Sequence, residues 1–175
     1  MKKFLSVLAA LLIMSTAVVY AAQSSSARHG TKIVIIGGAE YKTSDYYKIA
    51  RNSFGKGYEA GEEIQDRYQT FMMERHDIGE DTPHKQDFID FTAQNDYDRV
   101  VFLIVSEKLD TQNNAQSRQK NRITVQINAY MSNGERIIDV TTTSKDDISK
   151  TSNLRARRSA FKKCVKEVAK KFKTA

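Results

Sequence analysis

The sequence contains one cysteine, one proline and no tryptophan among its 175 residues. The single cysteine, Cys164, excludes an intramolecular disulfide, so the fold must depend on a packed core. Free cysteine is among the most buried residue types, so Cys164 is predicted to be a core residue; pairing with a partner's cysteine is the alternative. After residue 21, no apolar run reaches the length of about 20 residues that spans a bilayer. These absences exclude a disulfide-stabilised mini-protein and a transmembrane domain.

Residues 1–21 have the pattern of a secretory signal peptide. Lys2 and Lys3 give a positive start, an apolar run follows, and small residues lead to Ala21, near which cleavage is expected. An uncleaved anchor is the alternative. No cysteine stands at the cleavage site, so a lipid anchor is not indicated. We therefore expect an exported protein, in the periplasm or at the cell exterior, with a flexible lead-in at residues 22–31 and a single domain at residues 32–173.

Positive charge is concentrated at the end of the chain. The whole sequence has 28 Lys and Arg against 21 Asp and Glu, a net charge of +7. The segment from residue 154 onward holds nine of the bases and one acid, Glu167. Its apolar residues recur at helical spacing and predict one stripe, which consists of Leu154, Phe161, Cys164, Val165, Val168 and Phe172. This predicted helix suits an anionic surface or an acidic partner, with candidate contacts at Arg155, Arg158, Lys162, Lys163, Lys166 and Lys170. The alternative is a solvated face that keeps the protein soluble. Nucleic acid is not an expected partner, because no aromatic residues interleave with the bases.

A glycine pair ends the apolar run KIVIIGG, which opens the predicted domain. A nucleotide-binding loop needs G-x-G-x-x-G or G-x-x-x-x-G-K-[ST], and neither spacing occurs at Gly37 and Gly38. The continuous apolar run is typical of a strand that is buried on both faces. The glycine pair is therefore interpreted as the exit from that strand, and no cofactor is expected. The segment after it holds Tyr41, Tyr46 and Tyr47, a candidate contact loop because tyrosine offers a large amphipathic area. Burial of these tyrosines in the core is the alternative.

The histidines and acids of MMERHDIGEDTPHK are the remaining candidates for chemistry. His76 and His84 stand eight residues apart across a proline loop, a spacing that matches no recognised metal site. Ser106 follows the most apolar stretch of the domain, but no G-x-S-x-G elbow surrounds it. No catalytic or metal site is therefore predicted, and an envelope hydrolase stays as a further alternative.

Hydrophobic periodicity predicts an α+β domain with a single mixed sheet of about four strands, in the order β-α-α-β-β-β-α, with helices packed on one face. The strands are predicted in KIVIIGG, RVVFLIVS, RITVQINAYM and ERIIDVTTTS. The three helices of this order are predicted near residues 58–76, 86–97 and 154–173, and a short helical stretch is predicted at residues 46–52. The segment EKLDTQNNAQSRQK has no apolar pattern and is predicted to be a long solvated connection.

The last two strands are predicted to form an antiparallel hairpin with one apolar face. Apolar and polar residues alternate in both, and Asn133 and Gly134 between them favour a two-residue turn. That turn pairs Ala129 with Ile138 and places the apolar residues of both strands on one side. The opposite side is polar, so we expect it to face solvent or a partner.

Four segments together resemble a known family. KIVIIGG is the first strand, YEAGEEIQDRYQTFMME the first helix, DYDRVVFLIVSEKLD the second strand, and the hairpin completes the pattern. The arrangement resembles, over residues 32–173, the small envelope domain shared by the N-terminal part of the translocation protein TolB and the curli-secretion lipoprotein. This resemblance implies a non-enzymatic binding or assembly module of the bacterial cell envelope, with other envelope proteins or further copies of the chain as partners. The alternative is a soluble exported protein that binds a polyanion or an anionic surface through its last helix.

Overall fold

The computed structural model describes residues 30–75, 83–112, 120–134, 137–148 and 153–174. The strands are β1 (Thr31–Ile36), β2 (Tyr58–Glu59), β3 (Val100–Gln112), β4 (Lys120–Ser132) and β5 (Ile137–Ile148). The helices are α1 (Ser44–Phe54), α2 (Glu62–Arg75), α3 (Lys85–Gln94) and α4 (Asn153–Thr174), with a short 3-10 turn at Ala39–Tyr41. The predicted signal peptide and most of the predicted lead-in lie outside the described residues. Among the described helices, none is long and apolar enough to cross a bilayer.

The five strands form one mixed sheet in the order β2-β1-β3-β4-β5. Strand β1 runs parallel to its two neighbours β2 and β3, whereas β4 is antiparallel to both β3 and β5. The α+β class and the single mixed sheet are thus confirmed. The strand β2 was not predicted, because Tyr58 and Glu59 were assigned to a helix. Gly55 and Gly57 have φ angles of +98° and +87°, which favour glycine. The turn at these glycines allows Tyr58 and Glu59 to pair with β1.

Helices cover both faces of the sheet, which corrects the prediction that they pack on one face. On the first face, Ile33 and Ile35 of β1 join a core with α1 and α4. On the second face, Val34 and Phe102 join a core with α2 and α3. The physical reason lies in β1 and the first half of β3, which are apolar on both sides and therefore need cover on both sides.

Strands β3, β4 and β5 extend well beyond the apolar segments that predicted them. The predicted solvated connection begins at Glu107, yet β3 continues to Gln112 and pairs with β4 along that whole length. Antiparallel pairing satisfies the backbone groups of these polar residues, so a strand forms without an apolar pattern. Residues 113–119, the middle of that predicted connection, lie outside the described residues. The three strands thus project past β1, which ends opposite Ile104.

The hairpin of β4 and β5 has a different register from the predicted one. Ala129 pairs with Val140, and the last pair before the turn is Ser132 with Ile137. The connection therefore spans residues 133–136 instead of the two residues Asn133 and Gly134. A shift of two residues keeps every side chain on its face, because the side-chain period of a strand is two. The apolar residues of β4 consequently still lie together, against α4.

Candidate functional site

Helix α4 is attached to the first face of the sheet by a continuous apolar stripe. The stripe is buried and consists of Ala156, Ala160, Phe161, Cys164, Val165, Val168, Ala169 and Phe172. Phe161 lies 5.0 Å from the ring of Tyr46, edge to face, and Phe172 lies 5.9 Å from the ring of Phe54. The Cys164 thiol is buried and donates to the carbonyl oxygen of Thr142 at 3.2 Å. Cys164 is thus a core residue, as predicted.

The opposite side of α4 carries an exposed line of positive charge. Arg155, Lys162, Lys166 and Lys170, called the basic row below, are all exposed. Their spacings of seven, four and four residues keep them within about 80° on the helix and spread them over roughly 22 Å. Within the part of the chain that the structure describes, their side chains form no ion pair or hydrogen bond. The buried stripe fixes this row outward, so four neighbouring cations face the surroundings together.

The other bases of α4 differ in what they contact. Arg158, a predicted contact residue, pairs with Asp45 of α1 at 3.1 Å. Lys163, also predicted, is exposed beside the row. Lys171 donates to the carbonyl oxygen of Thr141 at 3.1 Å. The structure thus brings the six predicted contact residues onto one helix and ties Arg158 to a neighbouring helix.

Arg157 holds the beginning of α4 to the sheet through a charged cluster that sequence reasoning missed. Its Nε and Nη2 donate to the two carboxylate oxygens of Glu107 at 2.6 and 2.9 Å, and the Tyr41 hydroxyl donates to the same carboxylate. The Arg157 and Glu107 side chains are only 19 % and 17 % exposed. The sequence does contain a signal for this cluster, because Glu107 follows Val105 by two residues. If β3 continues past Val105, the Glu107 carboxylate lies on the core face, where it needs a partner.

The cluster shifts the acid–base behaviour of its members. The hydrogen bonds from Arg157, together with the one from Tyr41, hold the pKa of the Glu107 carboxyl below its ordinary value. Burial, followed by the hydrogen bond to Glu107, raises the pKa of the Tyr41 hydroxyl well above its ordinary value. Glu107 is therefore ionised and Tyr41 neutral at physiological pH. All three groups are directed at each other, which is typical of a structural contact.

The predicted contact loop does not form a surface, which corrects that prediction. Tyr41 and Tyr46 are each 1 % exposed, and Tyr47 is 7 % exposed. Tyr41 and Tyr46 pack edge to face at 5.1 Å, and both rings contact Phe161. Tyrosine is large enough to fill the space between α1, α4 and β1. The free energy gained by burying its ring outweighs the cost of removing its hydroxyl from water. The alternative interpretation, tyrosines in the core, agrees with the structure.

The residues considered for metal binding and hydrolysis fall partly outside the described residues, among them His76. His84 precedes α3, where its backbone N–H donates to the Asp87 carboxylate at 2.8 Å in a capping box. Ser106 is exposed on β3. Among the described residues, no three His, Cys, Asp or Glu side chains converge as a metal site would require.

A cavity lies beside β2, which forms the opposite edge of the sheet from β5. It has a volume of about 450 Å³, and its lining includes Lys32, Glu59 and Tyr97. Lys32 forms an ion pair with Glu59 and lies 5.5 Å from the centre of the Tyr97 ring. Lys32 is thus used within the protein, as is Arg67 of the same lining, which pairs with Glu63. The basic row, whose four cations are exposed together, is the stronger candidate site.

No protein-family model matches the chain, and no curated protein matches it by sequence. Solved structures with a similar arrangement include a hypothetical protein from Chlamydia trachomatis, with 7 % identity, 80 % of this chain and 96 % of that chain covered, and a TM-score of 0.45. A lipoprotein from Neisseria meningitidis has 12 % identity, coverage of 83 % and 99 %, and a TM-score of 0.43. Rare lipoprotein B from Shewanella oneidensis has 9 % identity, coverage of 81 % and 89 %, and a TM-score of 0.31. The likeness to bacterial lipoproteins is one of architecture, and the narrower resemblance to TolB and the curli-secretion lipoprotein stays a prediction.

Proposed function

We propose that this protein is an exported, non-enzymatic binding module of the bacterial cell envelope, and that it binds an anionic partner through the basic row of α4. The observation that carries the proposal is the row itself: four exposed cations on one rigid helix, without partners among the described residues. Export is the expectation from the signal-peptide pattern. The charged cluster at Glu107 supports a non-enzymatic role, because its groups bind each other.

The row is unfavourable for the folded protein alone. Lys162, Lys166 and Lys170 follow each other at i, i+4, where like charges destabilise a helix by about 0.2–0.5 kcal/mol per pair. Phosphate, sulfate or carboxylate groups on a partner would remove that repulsion and replace it with attraction. Because the row is exposed, this attraction falls as salt screens it, with a Debye length of about 10 Å at 0.1 M.

Chromatography on immobilised heparin tests the proposal, with heparin as a general polyanion. The row variant replaces Arg155, Lys162, Lys166 and Lys170 by glutamine. The control variant replaces four exposed bases outside α4, namely Lys56, Lys85, Arg99 and Lys145, and removes the same charge. We expect the row variant to elute at much lower salt than the unmodified protein, and the control to elute close to it. Equal elution of the two variants would show that only total charge matters and would contradict the proposal.

A further inference from the structure

We propose that the anionic partner is the surface of a lipid bilayer, and that α4 approaches it with its amino-terminal end first, so that Leu109 and Leu154 enter the headgroup region. This inference rests on the proposed function and names its partner. It starts from two exposed apolar side chains that the core does not use: Leu154 is 53 % exposed and Leu109 is 50 % exposed.

The two leucines lie at the same end of the molecule. Three contacts fix the direction of α4 along the sheet: Arg157 meets Glu107, Cys164 meets Thr142, and Lys171 meets Thr141. Thr142 lies opposite Ile127, which pairs with Val105, so α4 starts near the projecting end of β3 and runs back toward β1.

Leu154 precedes Arg157 by one helical turn, and Leu109 follows Glu107 by two residues on the same face of β3. Both leucines therefore lie beyond the Glu107–Arg157 contact, toward the projecting end. Arg155, the first member of the basic row, is the next residue after Leu154. This end of the molecule thus combines exposed apolar side chains with positive charge.

A lipid surface fits that combination better than a soluble polyanion does. Proteins that lie at a membrane interface combine basic side chains, which contact headgroups, with apolar side chains that reach the acyl boundary. A polysaccharide, in contrast, has no apolar region into which the two exposed leucine side chains could insert. The stripe of α4 is buried in the core, so the helix itself stays outside the bilayer and only the leucines enter. The positive end of the helix dipole also points toward the anionic surface.

Vesicle co-sedimentation with the full domain tests the inference. Phosphatidylglycerol vesicles are expected to bind the protein, and phosphatidylcholine vesicles are not. Replacing Leu109 and Leu154 by serine is expected to weaken binding to the anionic vesicles about tenfold, since buried leucine contributes strongly to partition. The same variant should elute from heparin like the unmodified protein. Met73→Ser, at a side chain that is 81 % exposed on α2, is the matched control and should bind the vesicles unchanged.

The direction of approach is tested within the row. Arg155→Gln with Lys162→Gln removes the same charge as Lys166→Gln with Lys170→Gln. A charge near an anionic membrane contributes about a fivefold change in affinity, and the contribution falls with distance, so the first pair should weaken vesicle binding more than the second. Equal effects of the two pairs would overturn the amino-terminal approach.

Heparin and vesicles together separate the two proposals. If heparin binding depends on the row but the anionic vesicles are not bound, or bind the leucine variant equally well, the lipid inference fails and the proposed function stands. If the row variant binds heparin as the unmodified protein does, the proposed function fails, whatever the vesicles show.

Discussion

The two helical layers, α2 with α3 on one face of the sheet and α1 with α4 on the other, differ in how their charged side chains are paired. Helices α2 and α3 carry six acids and three bases, and several of these pair within the layer: Arg67 with Glu63 at 2.9 Å, and Arg75 with Asp90 and Asp87. Helix α4 of the other layer carries nine bases and one acid, and its basic row pairs with no described residue. The layer of α2 and α3 therefore pairs part of its charge internally, whereas the basic row of α4 presents its charge to the surroundings.

The difference matters because both layers are attached to the sheet by the same means. Phe91 of α3 and Phe161 of α4 are each fully buried, in ring contacts with the neighbouring aromatic residues. Each layer also has a polar contact to the sheet: Gln65 of α2 accepts from the backbone N–H of Ile35 at 3.1 Å, and Arg157 of α4 binds Glu107. Neither attachment uses the basic row, so the contacts that hold the helices to the sheet give no reason for these four bases.

The largest expected effect comes from removing either buried ring. Phe161→Ala and Phe91→Ala should each lower the free energy of unfolding by about 3–5 kcal/mol, because each leaves a cavity in a packed core. Urea denaturation followed by circular dichroism measures both. If Phe161→Ala cost less than about 1 kcal/mol, α4 would not be an integral layer, and the comparison of two attached layers would fail.

The apolar patterns in the sequence located most of the core. Strand β1 and the first half of β3 were predicted from continuous apolar runs, and the stripe of α4 from its helical spacing. Leu154 was assigned to that stripe but is exposed, because the helix begins beyond the part of the sheet that covers it. Two-sided cover of the sheet was missed although β1 was predicted to be buried on both faces, and two buried faces require two layers.

The polar part of the fold was harder to predict, because its residues are held by partners distant in sequence. Glu107 continues β3 only because β4 pairs with it, and its carboxylate is accepted on the core face only because Arg157 reaches it from 50 residues away. The basic row, in contrast, was visible in the sequence, since exposed charge at helical spacing needs no partner to be recognised.

An intermediate effect is expected from breaking the charged cluster. Glu107→Ala should lower the free energy of unfolding at pH 7 by about 2 kcal/mol, since it removes charged hydrogen bonds and leaves Arg157 half-buried without its partner. The pKa of Glu107 is lower in the folded protein than its ordinary value of 4.5. The cluster therefore stabilises the fold above pH 4.5, and the stabilisation is lost as the pH falls through the folded-state value.

Thermal unfolding of both proteins between pH 7 and pH 3 checks this dependence. The difference between the unmodified protein and Glu107→Ala should be largest near neutral pH and should shrink in acid. Glu63→Ala, in an exposed pair of the other layer, is the control and should show little change in its difference with pH. A difference for Glu107→Ala that grows as the pH falls would contradict the assigned role of the carboxylate.

The smallest effects are expected from removing one exposed charge in each layer. The two substitutions should change the free energy of unfolding in opposite directions. Arg67→Ala breaks the ion pair with Glu63, in which the Arg67 side chain is 51 % exposed and the Glu63 side chain 82 % exposed. It should therefore lower the free energy of unfolding by no more than about 0.5 kcal/mol. Lys166→Ala removes two like-charge pairs, one with Lys162 and one with Lys170, so it should raise that free energy by about 0.4–1 kcal/mol. Both are measured by urea denaturation at low salt, and the two effects should converge toward zero in 1 M salt. A loss of stability in Lys166→Ala would mean that the row supports the fold, and would remove the contrast from which the binding function is proposed.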